Sequence, residues 1–388
     1  MKITRVEAFV IRHPSGAEVI DAPAPGATRG GPGLWNRLDD YATAYPKGAV
    51  QATLVKITTA SGLVGWGQCH APVAPRIHQA VVQDMLAPLL LAQDARDVEV
   101  LWDRLYASQR LRAYQSGPFT QTLAGVDLAL WDLLGKHAGV PVCQLLGGMF
   151  RDRLPLYLWI RGNSPQSVAE ATRQAVARGY SAVKMNMAGI HQIDLAAAAS
   201  QAMGNRGQVL VVCVGLKLYE AIRIGRELDK LGNIGWLQEP LLPEDHTGYV
   251  KLAAAVETPI CHGAFFGTRF RARDVLASKG ADILNPDICY CGGLTETRRI
   301  TILAEAYGVL WSPHISMATP LLIAASLHLA AASPNFVIME SAGQESGPFG
   351  NALLKQPLLV EQGYAAVPER PGLGVEFHDE ALARLRVS

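Results

Sequence analysis

From about residue 153 onward, short apolar runs rich in β-forming residues recur with helical segments between them. No other feature of the chain constrains its fold as much. The runs fall at 154–161, 182–187, 209–215, 234–238, 259–263, 281–286, 308–312 and 336–340. The segments between them, such as SVAEATRQAVARG, LYEAIRIGRELDKLG and LTETRRITILAEAYG, read as helices. Parallel strands need a long crossover, and a helix supplies it. Eight such units at near-regular spacing predict a parallel (β/α) barrel rather than an open sheet. The residues at the ends of runs two to eight are Asn186, Cys213, Gln238, Ala264, Asp287, His314 and Glu340, in steps of 27, 25, 26, 23, 27 and 26. In a barrel of this kind chemistry sits at the C-terminal ends of the strands.

The first part of the chain has a different pattern. Residues 3–12 read as a strand, and 52–59 with 63–70 as a hairpin turned at Ala60, Ser61 and Gly62. Helical patterns follow at 75–92, 97–111 and 118–138, the last stopped by Gly139 and Pro141. The long irregular stretch 15–50 carries Trp35 and Tyr41, and a loop of that length is usually functional or mobile. The expectation is an α+β capping domain over residues 1–140, completed by a tail at about 345–388, and a barrel over 150–343.

Composition excludes several classes. Lys plus Arg is 35 and Asp plus Glu 34, a net charge of +1, so no charge imbalance drives binding to nucleic acid or an acidic membrane. Leu321 to Ala332, the longest mostly apolar stretch, is too short to span a bilayer. The opening MKITRVEAFVIRHPSG lacks the apolar region of a signal peptide. The six cysteines show neither a disulfide framework nor CxxC spacing. The expected location is therefore the cytoplasm, with reduced thiols.

Several motifs, in order, resemble the enolase superfamily, in its mandelate racemase / muconate lactonizing enzyme subgroup. They are GVDLALWDLLGKHAGVPVCQLLGG at 125–148, the strand around Lys184, WLQEPLLPE at 236–244, NPDICYCGGLTE at 285–296 and SPHISMATPLLIAASLHLAAA at 312–332. The segment PFGNALLKQPL with PGLGVEF resembles sugar-lactone cycloisomerases of that group. The resemblance implies a (β/α)7β TIM-like barrel under an α+β N-terminal cap, often in a homo-oligomer. It also implies a sugar acid, lactone or related small carboxylate as substrate, and proton abstraction beside the carboxylate with Mg²⁺ support.

The resemblance also locates departures. Family metal ligands at the ends of strands three, four and five correspond here to Cys213, Gln238 and Ala264. The hairpin position that often carries Glu is Gln68, and the lysine usually found two residues beyond Lys184 is Asn186. Mg²⁺ wants charged oxygen ligands in octahedral geometry. The expectation is accordingly that no cofactor is used and that the usual Mg²⁺-assisted chemistry is lost or altered. Zinc on Cys213, His262 and Cys289 or Cys291 is a minor alternative.

The expected catalytic residues are His314, Asp287, Lys184 and Glu340. A carboxylate beside an imidazole fixes its tautomer and makes it a competent base near neutral pH. Lys184 is the other candidate base, facing the dyad across the barrel. A protonated Glu340 could donate a hydrogen bond to the substrate carboxylate. Asn186, His262, Trp35 and Tyr41 form the expected substrate-binding set. The alternative reading is a non-catalytic protein that binds a ligand or partner in the same barrel.

Overall fold

The computed structural model describes residues 1–14, 48–112, 115–315, 319–341, 343 and 349–387. Strands β1 (Ile3–Pro14), β2 (Ala49–Thr59) and β3 (Val64–Cys69) form an antiparallel sheet in that order. The β2–β3 turn uses Gly62 at φ 84°, where a glycine pays no Cβ penalty. The helix Pro118–Ala138 lies on β3. It begins with Pro at its first position and ends at Gly139 in the left-handed conformation, φ 71°, an economical start and stop. Gly65 and Gly67 of the strand face Ala129 and Gly125 of the helix so closely that a Cβ on either would enter a helix carbonyl.

The barrel follows as β4 (Arg153–Trp159), β5 (Ala182–Asn186), β6 (Gln208–Val212), β7 (Ile234–Gln238), β8 (Ile260–His262), β9 (Ile283–Leu284), β10 (Leu310–Trp311) and β11 (Met339–Ser341). Each pairs in parallel with the next from β4 to β10, and β11 pairs in parallel with β4. The ring closes between β10 and the approach to β11. There Trp311 bridges Phe336, Trp311 N donates to Asn335 O and Val337 N donates to Trp311 O. The architecture is a TIM-type barrel with an N-terminal cap.

Strand side chains alternate between the two faces of the barrel wall. Tyr157, Ala182, Leu210, Trp236, Cys261, Ile283 and Ile338 form one buried interior cluster. Tyr157 and Trp236 meet edge to face at 5.7 Å, a contact worth about 1 kcal/mol beyond its area. Two residues further along their strands, Lys184, Gln238, Asn285 and Glu340 therefore form the next layer, toward the C-terminal mouth.

The tail ties the parts together. Strands β12 (Val360–Glu361) and β13 (Tyr364–Ala366) form a short hairpin, and β13 pairs antiparallel with the start of β4. Leu373 N then donates to Asp132 Oδ1 of the long helix, Phe377 packs edge-on against Trp66 at 5.4 Å, and Arg386 bridges Ile11 of β1.

Candidate active site at the barrel mouth

Asp287 lies three residues beyond β9, fully buried, and His314 three residues beyond β10. His314 Nδ1 stands 3.1 Å from Asp287 Oδ2. The other carboxylate oxygen, Oδ1, accepts from Cys289 N at 2.8 Å. That bond caps the short helical turn Ile288–Cys291, so Cys289, Tyr290 and Cys291 form one turn of helix. With Nδ1–H directed at the carboxylate, Nε2 carries the lone pair. The imidazole side chain keeps 12% of its exposure.

Lys184 and Glu340 stand on either side of β4, with Glu340 on the strand next to that of His314. Lys184 Nζ is 2.7 Å from Glu340 Oε1, and both side chains are 6% exposed. Ile315 N donates to Glu340 Oε2 at 3.1 Å. Both oxygens of Glu340 thus have a donor beside them. Lys184 thus has a buried counter-ion in Glu340. Asn186 is exposed at the end of β5, two residues beyond Lys184 on the same face.

His262 does not join these groups. Cys261 belongs to the interior cluster, so its neighbour faces outward. His262 stacks on Tyr249 at 3.9 Å and meets Phe266 edge-on. Its Nδ1 is 2.8 Å from Glu239 Oε2. Glu239, at φ 49°, also accepts from Gly263 N, Ala264 N and the Tyr249 hydroxyl. Burial works to raise the Glu239 carboxyl, but the His262 ring and these donors hold it below the usual carboxylate range. Sequence reasoning had assigned His262 to substrate because it could not see the parity of β8. Trp35 and Tyr41 lie outside the described residues.

One neighbour of the dyad was missed. His70, just past β3, is buried with its ring 4.1 Å from that of Tyr290. Burial pushes it down to about 4, against an upward pull from Asp287 and with help from His314 and His78. It is therefore a neutral imidazole brought to the dyad by the cap. The cap is held there by Gln68, whose Oε1 accepts from Thr319 N at 2.8 Å and from Thr319 Oγ1 at 2.6 Å. Cys289 Sγ also donates to Gln68 O. The available signal was a histidine two residues beyond Gln68 in the same hairpin.

Comparison with known proteins places this geometry. Residues 45–147 match the N-terminal domain of mandelate racemase / muconate lactonizing enzyme, and residues 166–381 match the enolase C-terminal domain-like family. The chain belongs to the enolase superfamily. It is 32% identical to a D-galactarolactone cycloisomerase of Agrobacterium fabrum (strain C58) over 403 aligned residues, 100% of this chain and 99% of the relative. It is 34% identical to a D-galactonate dehydratase of Verminephrobacter eiseniae, covering 84% of this chain and 88% of that one. The crystal structure of the 3,6-anhydro-D-galactonate cycloisomerase from Zobellia galactanivorans superposes with a TM-score of 0.84 at 28% identity, over 100% of both chains. These enolase-superfamily relatives are named as enzymes, and none supports the non-catalytic alternative.

The comparisons correct one expectation. The absence of a cofactor, with zinc as a substitute, does not stand for a member of this superfamily. A racemase from Streptomyces coelicolor A3(2) with the same fold, TM-score 0.83 at 24% identity over 99% of this chain, was solved with bound magnesium. The zinc alternative also fails on geometry. His262 is engaged by Glu239, and the Cys289 and Cys291 thiols donate to the carbonyls of Gln68 and Phe266. Cys213, Gln238 and Ala264 offer a thiol, an amide and a methyl group, which do not by themselves fit the oxygen shell of Mg²⁺. Among the described residues no group of three His, Cys, Asp or Glu side chains could hold a metal ion. Among the same residues no helix is long and apolar enough to cross a membrane.

Proposed function

We propose that the protein is a lyase or isomerase of sugar acids or their lactones that moves a proton at the carbon next to the substrate carboxyl group. The observation that carries this reading is the buried Asp287 held against Nδ1 of a partly open His314 at the barrel mouth. His314 Nε2 takes the proton, and the electron pair of the broken C–H bond moves into the adjacent carbonyl. Asp287 stabilises the imidazolium that forms and keeps its ring oriented. Lys184, fixed in place by Glu340, holds the substrate carboxyl group and faces the developing negative charge.

The end-to-end match to a cycloisomerase favours a sugar lactone as the first substrate to test. The same reading assigns residues 1–140, with 345–388, to the cap and 150–343 to the barrel. The test is solvent exchange. Galactarate, galactonate and their lactones are incubated with the enzyme in D2O, with and without Mg²⁺. Deuterium incorporation next to the carboxyl group, or product formation, is followed by proton NMR. Exchange that disappears in His314→Asn supports the reading. Exchange that survives this substitution, or no exchange and no product with any member of the panel, rejects it.

A further inference from the structure

Arg161 follows β4 at its mouth end, two residues beyond Trp159 and four beyond the interior residue Tyr157. Alternation places Trp159 on the inner face of the wall. The Arg161 guanidinium lies over the Trp159 ring, 4.6 Å from its centroid. The guanidinium is thus directed back over the barrel mouth. Arg161 is exposed, and among the described residues it forms no ion pair. Lys184 by contrast spends its charge on Glu340. The Trp159 Nε1 atom of that ring is buried with no hydrogen-bond partner among the described residues, and an indole N–H can only donate. A cation and a donor that are both without a partner among the described residues, at one place on the rim, suit an anion with paired oxygens. A guanidinium braced on an aromatic face has its fork pre-organised for a carboxylate.

We infer that Arg161, braced by Trp159, binds a second carboxylate of the substrate, so that the protein selects aldaric acids and their lactones, which carry two carboxyl functions, over aldonic acids, which carry one. This rests on the sugar-acid reading and narrows it. The dyad and Lys184 act on one end of a six-carbon chain, and Arg161 reads the other end.

Galactarate and galactonate make a matched pair. They share stereochemistry and differ in whether C6 is a carboxylate or a hydroxymethyl group. Affinity for each is measured by titration calorimetry, and deuterium exchange is measured in parallel. The natural protein is expected to bind galactarate at least tenfold more tightly. Arg161→Met is expected to lose about ten- to a hundredfold for galactarate and to stay within about twofold for galactonate, so that the discrimination disappears. Arg161→Lys keeps the charge without the fork and is expected to fall between the two. Because Arg161 is exposed, these variants are expected to keep the melting temperature of the natural protein. Equal losses for both ligands would show that Arg161 only supports the rim, and would overturn the inference. Undiminished galactarate binding in Arg161→Met would also overturn it. Galactonate bound and exchanged in preference to galactarate would overturn the inference while leaving the sugar-acid reading intact. Failure of the natural protein to bind either ligand would reject both.

Discussion

Lys184 and Glu340 meet at 2.7 Å across β4, the strand that separates theirs. The ion pair spans the seam where the last barrel strand joins the first. Removing one partner of a buried pair leaves the other charge without compensation, which typically costs 3–5 kcal/mol.

Glu340→Gln is therefore expected to lower the unfolding free energy by about 3 kcal/mol. Adding Lys184→Met is expected to recover more than half of that loss, because no charge then remains buried. Urea unfolding of the two single variants and the double variant measures the coupling. A double variant that is simply the sum of the singles would show that the pair contributes nothing as a pair.

His314→Asn is expected to reduce proton exchange by at least about a hundredfold. Asp287→Asn leaves a group of the same shape beside Nδ1 but removes the charge that supports the imidazolium. It is expected to retain more activity than His314→Asn, with an altered pH–rate profile. Steady-state exchange rates across pH 5–9 distinguish the two. Identical profiles for Asp287→Asn and the natural protein would exclude an acid–base role for the carboxylate.

Burial lowers His328 to about 4, below its usual 6.5, with a partial upward offset from the backbone of Leu373. Its folded-state value lies below its unfolded value, so protonation favours unfolding. The stability tied to the neutral ring is fully present above about pH 6.5 and is lost as pH falls toward 4, by up to about 1.4 kcal/mol per pH unit. His70 and His78, also held near 4 chiefly by burial, act in the same direction. Asp127, raised to about 7 by burial, opposes them over much of the same range. His328→Gln is expected to flatten the acid limb of the stability curve by about one proton, read from urea midpoints between pH 5 and 7.

Gly67→Ala is expected to destabilise the cap by about 3 kcal/mol, the upper end for overpacking. Its Cβ would be driven into the backbone carbonyl of Gly125 rather than into a side chain that could move aside. Gly62→Ala meets open space and pays only for its positive φ, so a loss nearer 1 kcal/mol is expected. Thermal unfolding of the two variants ranks them.

The barrel was legible because its strand ends recur at steps of 23 to 27 residues, a period that a chain alternating strand and helix must repeat to close a ring. The hairpin and the helix ending at Gly139 were legible because their turn and stop residues are local. Strand parity was not. His262 lies one residue from an interior cysteine, and nothing in ICHGA says which of the two faces inward until β7 and β9 are paired around it. His70 was missed because its proximity to Asp287 depends on the cap docking through Gln68 onto Thr319, 251 residues further along the chain. The ion pair of Lys184 with Glu340 joins positions 156 residues apart, and only ring closure brings them into contact.

The tail's return to β1 has a consequence for the order in which the molecule is completed. Val387 N donates to Val10 O, and Phe377 seals Trp66. Synthesis proceeds from the N-terminus at about 5–20 residues per second. The first strands made must therefore wait on the order of tens of seconds for the segment that covers them. During that interval β1 is an open sheet edge with its apolar face uncovered, a hazard for aggregation. The cover for β1 is made more than 350 residues after the strand itself, and yield should depend on how fast residues 373–387 follow the rest.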